Sequence, residues 1–138
     1  MSTPRIPSHN PLRGNGFSRR DLAIRFFPDS TTSPSTIYDP NNDIASLVWT
    51  STGLFTVTLR YPVQRVLSAT ATLQLATVGV VRDVKIGATS TTENTTSDFS
   101  FTVSVTNGAS AADIAADPDN SISVDLAVEV AKAGQASR

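Results

Sequence analysis

The sequence predicts an all-β protein, either an antiparallel β-sandwich or a jelly-roll-like barrel of about 7 to 8 strands, with an extended N-terminal arm. Apolar and polar residues alternate over residues 99–105, and over residues 122–130 with Ala127 as the one exception. Successive side chains of a strand point to opposite faces, so this alternation indicates sheets with one buried and one solvated face. Asn107-Gly108 is a strong turn signal after the first of these segments. A chain of 138 residues is most simply one domain with one core.

We expect three parts along the chain: an extended basic arm over residues 1–20, a single β domain over residues 21–131 and a flexible tail over residues 132–138. The arm is rich in Pro, Ser, Asn and Gly and has no periodic apolar face. Alone in water it is therefore predicted to be disordered. Two interpretations stay open, a segment that becomes ordered on a neighbouring subunit and an unstructured leader.

Within the β domain the predicted strands share the two-residue alternation of apolar side chains. They cover residues 22–26, 44–50, 54–61, 66–78, 80–86, 99–106 and 121–131. Residues 51–53 predict a tight turn and thus a hairpin, and residues 30–42 and 87–97 are predicted loops. Residues 109–120 predict one helical turn that begins at Ser110 and stops before Pro118.

The charge is distributed unevenly along the chain. Residues 1–25 hold five arginines and Asp21, a sum of +4, whereas the remainder holds six basic and eleven acidic residues, a sum of −5. A basic arm therefore precedes an acidic body. Because the body is acidic, it is not expected to bind nucleic acid. The arginines of the arm suit nucleic acid or acidic patches of a protein partner, and the protein partner is the one expected.

The residue types argue against several classes of function. The chain has no cysteine, which excludes disulfides, thiolate metal sites and cysteine nucleophiles. Its single histidine, His9, lies in the arm, whereas a catalytic base needs a rigid position. Asp117 and Asp119 do not have the spacing of a calcium loop. We therefore expect no enzyme activity, no metal and no cofactor, and the absence of a long apolar run indicates no membrane span.

Three segments of the chain carry a resemblance to a known group of proteins. They are residues 51–59 (STGLFTVTL), residues 71–75 (ATLQL) and residues 111–120 (AADIAADPDN), the last leading into Ile-Ser-Val at 122–124. Over about residues 48–130 the chain resembles the small β-rich decoration, or cement, proteins of tailed bacteriophage heads. The resemblance implies a non-enzymatic protein on the outer surface of an icosahedral capsid, often a trimer, that is made in the host cytoplasm and clamps major capsid subunits.

On this interpretation the partners are the major capsid protein and further copies of the chain. The predicted capsid contacts are the basic residues of the first 25 and two apolar residues among them. These are Arg5, Arg13, Arg19, Arg20 and Arg25, with Leu12 and Phe17 as apolar anchors. A tail, baseplate or fibre-associated β protein is the main alternative, and a host-adhesion or carbohydrate-binding module is the second.

Overall fold

A computed structural model describes residues 17–87 and 97–131 of the protein. The predicted all-β class is confirmed, since eight strands form two four-stranded antiparallel sheets packed together as a β-sandwich, with no helix in the described part. The strands are β1 Phe17–Phe26, β2 Ile37–Tyr38, β3 Ile44–Ser51, β4 Leu54–Leu59, β5 Arg65–Gln74, β6 Asp83–Ile86, β7 Ser100–Thr106 and β8 Ser121–Ala131. The strand order is β2-β1-β8-β5 in the first sheet and β3-β4-β7-β6 in the second.

The core lies between the sheets and follows from the alternation in the sequence. Strand β7 alternates between buried and half-buried residues along its whole length, as does β4, with Phe55, Val57 and Leu59 inside. The first sheet contributes Phe26, whose ring meets that of Phe55 edge to face at a centroid distance of 5.0 Å. Burial of these apolar side chains is the main force that holds the sheets together.

The sandwich has two different ends. At the terminal end, Phe17 of β1 pairs with Ala131 of β8. At the loop end, segments 27–36, 52–53, 75–82 and 107–120 meet. The Ser30 N–H donates to the Ile114 carbonyl at 3.0 Å, and the Arg82 Nε–H donates to the Asp113 carbonyl at 3.1 Å. Strand β1 therefore begins at the end of the sandwich opposite to this group of loops.

The structure confirms several predicted elements and moves the bounds of others. The β3–β4 hairpin forms around the turn at residues 51–53, and β8 has the predicted bounds. The first strand is longer than predicted, so residues 17–20 belong to the sheet and not to the arm. Loop 30–42 contains the short strand β2. The predicted tip loop over 87–97 lies largely outside the described residues, as does the predicted tail.

The helical turn predicted for residues 109–120 is wrong. This segment instead crosses the loop end, where the Ile114 side chain is buried and the Asp113 carboxylate accepts hydrogen bonds from Trp49 Nε1 at 2.9 Å and from the Gly53 N–H at 2.8 Å. The tertiary contacts of Asp113 and Ile114 outweigh the weak helical preference of a short, alanine-rich segment. Asp117 accepts a hydrogen bond from the Asp119 N–H, which forms the local turn.

Candidate protein-binding surfaces

The structure separates the predicted capsid-contact residues into two groups. Arg5, Leu12 and Arg13 lie outside the described residues. Arg19, Arg20 and Arg25 lie on β1, which also begins with Phe17. Arg19 is exposed and forms an ion pair with Asp21 on the outer face of the first sheet, with Nε 2.9 Å from Oδ1. Its carboxylate partner is exposed as well, whereas the carboxylate that pairs with Arg20 is buried.

Arg20 takes part in a buried polar cluster near the terminal end. Its Nε and Nη2 donate to Oδ1 of Asp43 at 2.9 and 2.7 Å, and its guanidinium lies 5.0 Å from the centre of the Tyr61 ring. The Tyr61 hydroxyl donates to the same carboxylate oxygen at 3.0 Å. The Asp43 side chain is only 2% exposed, whereas that of Arg20 is 44% exposed. Arg20 therefore compensates a buried charge of its own chain.

This cluster predicts how stability depends on pH. Burial and the hydrogen bond to Asp43 raise the pKa of Tyr61 well above its ordinary value of 10. The folded state favours the protonated phenol of Tyr61, so this group adds to the free energy of unfolding. The contribution is complete below pH 10 and is lost as the pH rises above that value. We expect the free energy of unfolding of the wild type to fall more steeply above pH 10 than that of Tyr61→Phe. Urea unfolding of both proteins across this range measures the difference, and equal slopes would contradict the prediction.

Arg25 also has contacts within its own chain. Its Nε donates to Ser121 Oγ at 3.0 Å, and its guanidinium lies 5.2 Å from the centre of the Phe27 ring. Phe27 in turn meets Tyr38 edge to face at 5.5 Å. An open groove of about 490 Å³ lies beside this pair and includes Pro28 and Pro118 in its wall. Tyr38, with 55% of its surface exposed, is the most accessible ring of this group.

A further surface, which we call the apolar side, was not among the predicted sites. It consists of β5, β6 and the loop between them, residues 65–86. Val78 of this loop is fully exposed, and Val81 is 63% exposed. The inward-facing side chains of both strands are only partly buried at this side, although they pack against the core. They are Val66, Ala69, Ala71, Leu73, Val84 and Ile86.

The concentration of apolar surface here is not a general property of the protein. Six large apolar residues are exposed in the described part of the chain, and four of them lie on the apolar side: Leu67, Val78, Val80 and Val81. The inward-facing residues at the opposite side of the sandwich, such as Leu22, Ile24 and Leu47, are buried. Clustered exposed apolar residues are typical of a protein-binding surface.

The valines of this surface are visible in the sequence, but they continue the alternation of the neighbouring strands and so resemble strand residues. Residues 75–82 extend the β5 and β6 patterns with valines, so the alternation predicts strands that run to Val78 and start again at Val80. In the structure β5 ends at Gln74 and β6 begins at Asp83. Three valines in a loop, with few polar residues among them, are the signal that could have identified the surface.

Within the described residues no group of three or more acidic or histidine side chains is placed to hold a metal ion. No helix in that part of the chain is long and apolar enough to cross a membrane. Comparisons with protein-family models, with curated proteins and with solved structures find no match. The function is therefore inferred from these surfaces.

Proposed function

We propose that this protein is a non-enzymatic virion structural protein, a capsid decoration protein that binds the outside of a phage head through its N-terminal arm. The observation that carries the proposal is the pairing of Phe17 with Ala131. It attaches the basic residues 1–16 at the terminal end and leaves the loop end free on the opposite side. A compact domain tethered by a cationic segment suits attachment to an acidic shell that displays many copies of one binding site.

Fewer residues are proposed to contact the capsid than the sequence alone indicated. Arg20 and Arg25 are engaged within the sandwich, so we assign capsid binding to Arg5, Arg13 and the exposed Arg19. Leu12 and Phe17 remain the proposed apolar anchors. Arginine suits this role because its guanidinium binds carboxylates with two parallel hydrogen bonds.

Removal of the arm tests this proposal. Deletion of residues 2–16 leaves β1 complete, and we expect the shortened protein to fold but to lose saturable co-sedimentation with undecorated phage heads. Arg5→Ala/Arg13→Ala should weaken binding of the full-length chain, and binding should also weaken as salt is added, because screening reduces attraction between exposed charges. Arg60→Ala/Arg65→Ala removes the same charge from exposed positions of the body and should bind as the wild type does.

Two results would contradict the proposal. Undiminished binding by the deletion variant would show that the arm is not the capsid-binding segment. Failure of the full-length protein to bind heads would favour the tail or adhesion alternatives, which binding to purified tails and to host cells then separates.

A further inference from the structure

Strand β6 is an edge of the second sheet, and its outer edge offers backbone groups for pairing. Among the described strands it pairs with β7 alone. The Gly87 N–H, just after β6, donates to the Thr102 carbonyl of β7 at 2.8 Å. Because hydrogen-bonded residues alternate in an antiparallel pair, this bond directs the N–H and C=O groups of Val84 and Ile86 away from β7. Such an edge is a template for another strand.

The space beside this edge is open, and most of the residues that line it are small or apolar. A groove of about 480 Å³ runs between β6 and β5, with Ala69 and Ala71 on one wall and Val84 and Ile86 on the other. The alanines leave room in the groove because their side chains end at Cβ. An added strand would cover the partly buried apolar residues on both walls, which favours association.

The charges on β6 identify a suitable partner strand. Asp83 and Lys85 are exposed on the outer face, on either side of Val84. When two copies of β6 pair antiparallel with Val84 opposite Val84, each Asp83 lies opposite the Lys85 of the other copy. A shift of the register by two residues in either direction keeps the same faces together, and it places Asp83 opposite Asp83 or Lys85 opposite Lys85. Opposite charges stabilise a cross-strand pair and like charges destabilise it.

We propose that two copies of this chain associate about a two-fold axis by antiparallel pairing of their β6 strands. The two second sheets then form one continuous sheet of eight strands, and the same surface patch is used by both copies, as a two-fold interface requires. This inference concerns contact between copies of the chain and holds with or without capsid binding. It replaces the trimer that the resemblance implied with a dimer as the solution state.

Charge exchange on β6 tests the proposal in solution. Sedimentation equilibrium of the full-length wild type is expected to give twice the mass of one chain. Lys85→Asp places aspartates opposite each other in both pairs and should raise the dimer dissociation constant about tenfold or more. Asp83→Lys/Lys85→Asp exchanges the charges and should restore the wild-type constant to within about threefold. Both positions are exposed, so folding is expected to be retained.

Two further variants distinguish the proposed contact from general charge effects and from unfolding. Arg19→Asp changes an equivalent exposed pair on β1 and should leave the dimer constant unchanged. Val84→Pro removes an N–H that points away from β7, so it should give a folded monomer with an unchanged β-type circular dichroism spectrum. A wild-type mass of one or three chains, or failure of the double exchange to restore the Lys85→Asp defect, would overturn the proposal.

Discussion

Gly53→Ala is expected to destabilise the protein by about 3 kcal/mol, the sum of two separate effects. Gly53 has a φ of +64° at the β3–β4 turn, a backbone conformation that strains any residue with a Cβ atom. An added Cβ would also lie 2.8 Å from the nitrogen and 2.9 Å from the oxygen of Ala112, and against the Val105 carbonyl. These are backbone atoms of a segment fixed by Asp113, so they cannot move away at low cost.

Gly108 and Gly79 provide matched controls for these two effects. Gly108 has a φ of +96° with no atom near the position of a Cβ, so Gly108→Ala tests backbone strain alone and should cost about 1 kcal/mol. Gly79 has neither constraint, and Gly79→Ala should change stability by less than about 0.5 kcal/mol. Urea unfolding of the three variants measures the order. A Gly53→Ala protein no less stable than Gly108→Ala would show that the contact with Ala112 is relieved easily.

Arg20→Ala is expected to cost about 2 to 3 kcal/mol of folding free energy. The variant leaves the Asp43 carboxylate, with its side chain only 2% exposed, without a positive partner. The loss is smaller than for a fully buried pair because the Arg20 side chain is 44% exposed and water can take part of its place. The stacking of its guanidinium on Tyr61 is lost as well.

The neighbouring arginine is the control for this variant. Arg19 has the same side chain on the same strand but pairs with an exposed Asp21, so Arg19→Ala should change stability by less than about 0.5 kcal/mol. Arg20→Ala/Asp43→Asn should recover part of the loss, because no buried charge remains without a partner. Equal stabilities of the two single variants in urea unfolding would show that water compensates Asp43 without help from Arg20.

The sequence predicted the sandwich best where one face of a strand meets the core and the other meets solvent. Strands β4 and β7 are of this kind, and their two-residue alternation located them closely. Prediction failed for residues 109–120, because local preference there is weak and the position of Asp113 depends on contacts with Trp49 and Gly53, which are distant in sequence.

The candidate sites were less predictable than the fold. Composition identified a basic N-terminal region, but it could not show that Arg20 is neutralised by Asp43, 23 residues further along the chain. The apolar side was hidden for a different reason, since valines that alternate in a strand and valines that project from a loop have the same local sequence signature. Only the pairing of β5 with β8 and of β6 with β7 shows where each strand ends.

The pairing of Phe17 with Ala131 has a mechanical consequence for a protein held at its first residues. A force applied between the N-terminal arm and the C-terminal end pulls β1 and β8 apart at the same end of their ladder. The residue pairs then separate one at a time, beginning with Phe17 and Ala131. A force between the arm and the loop at residues 75–82, at the opposite end of the sandwich, instead loads the ten pairs of that ladder in shear together. The β1–β8 ladder therefore resists a pull from the proposed attachment point to the exposed apolar loop better than a pull between the two chain ends.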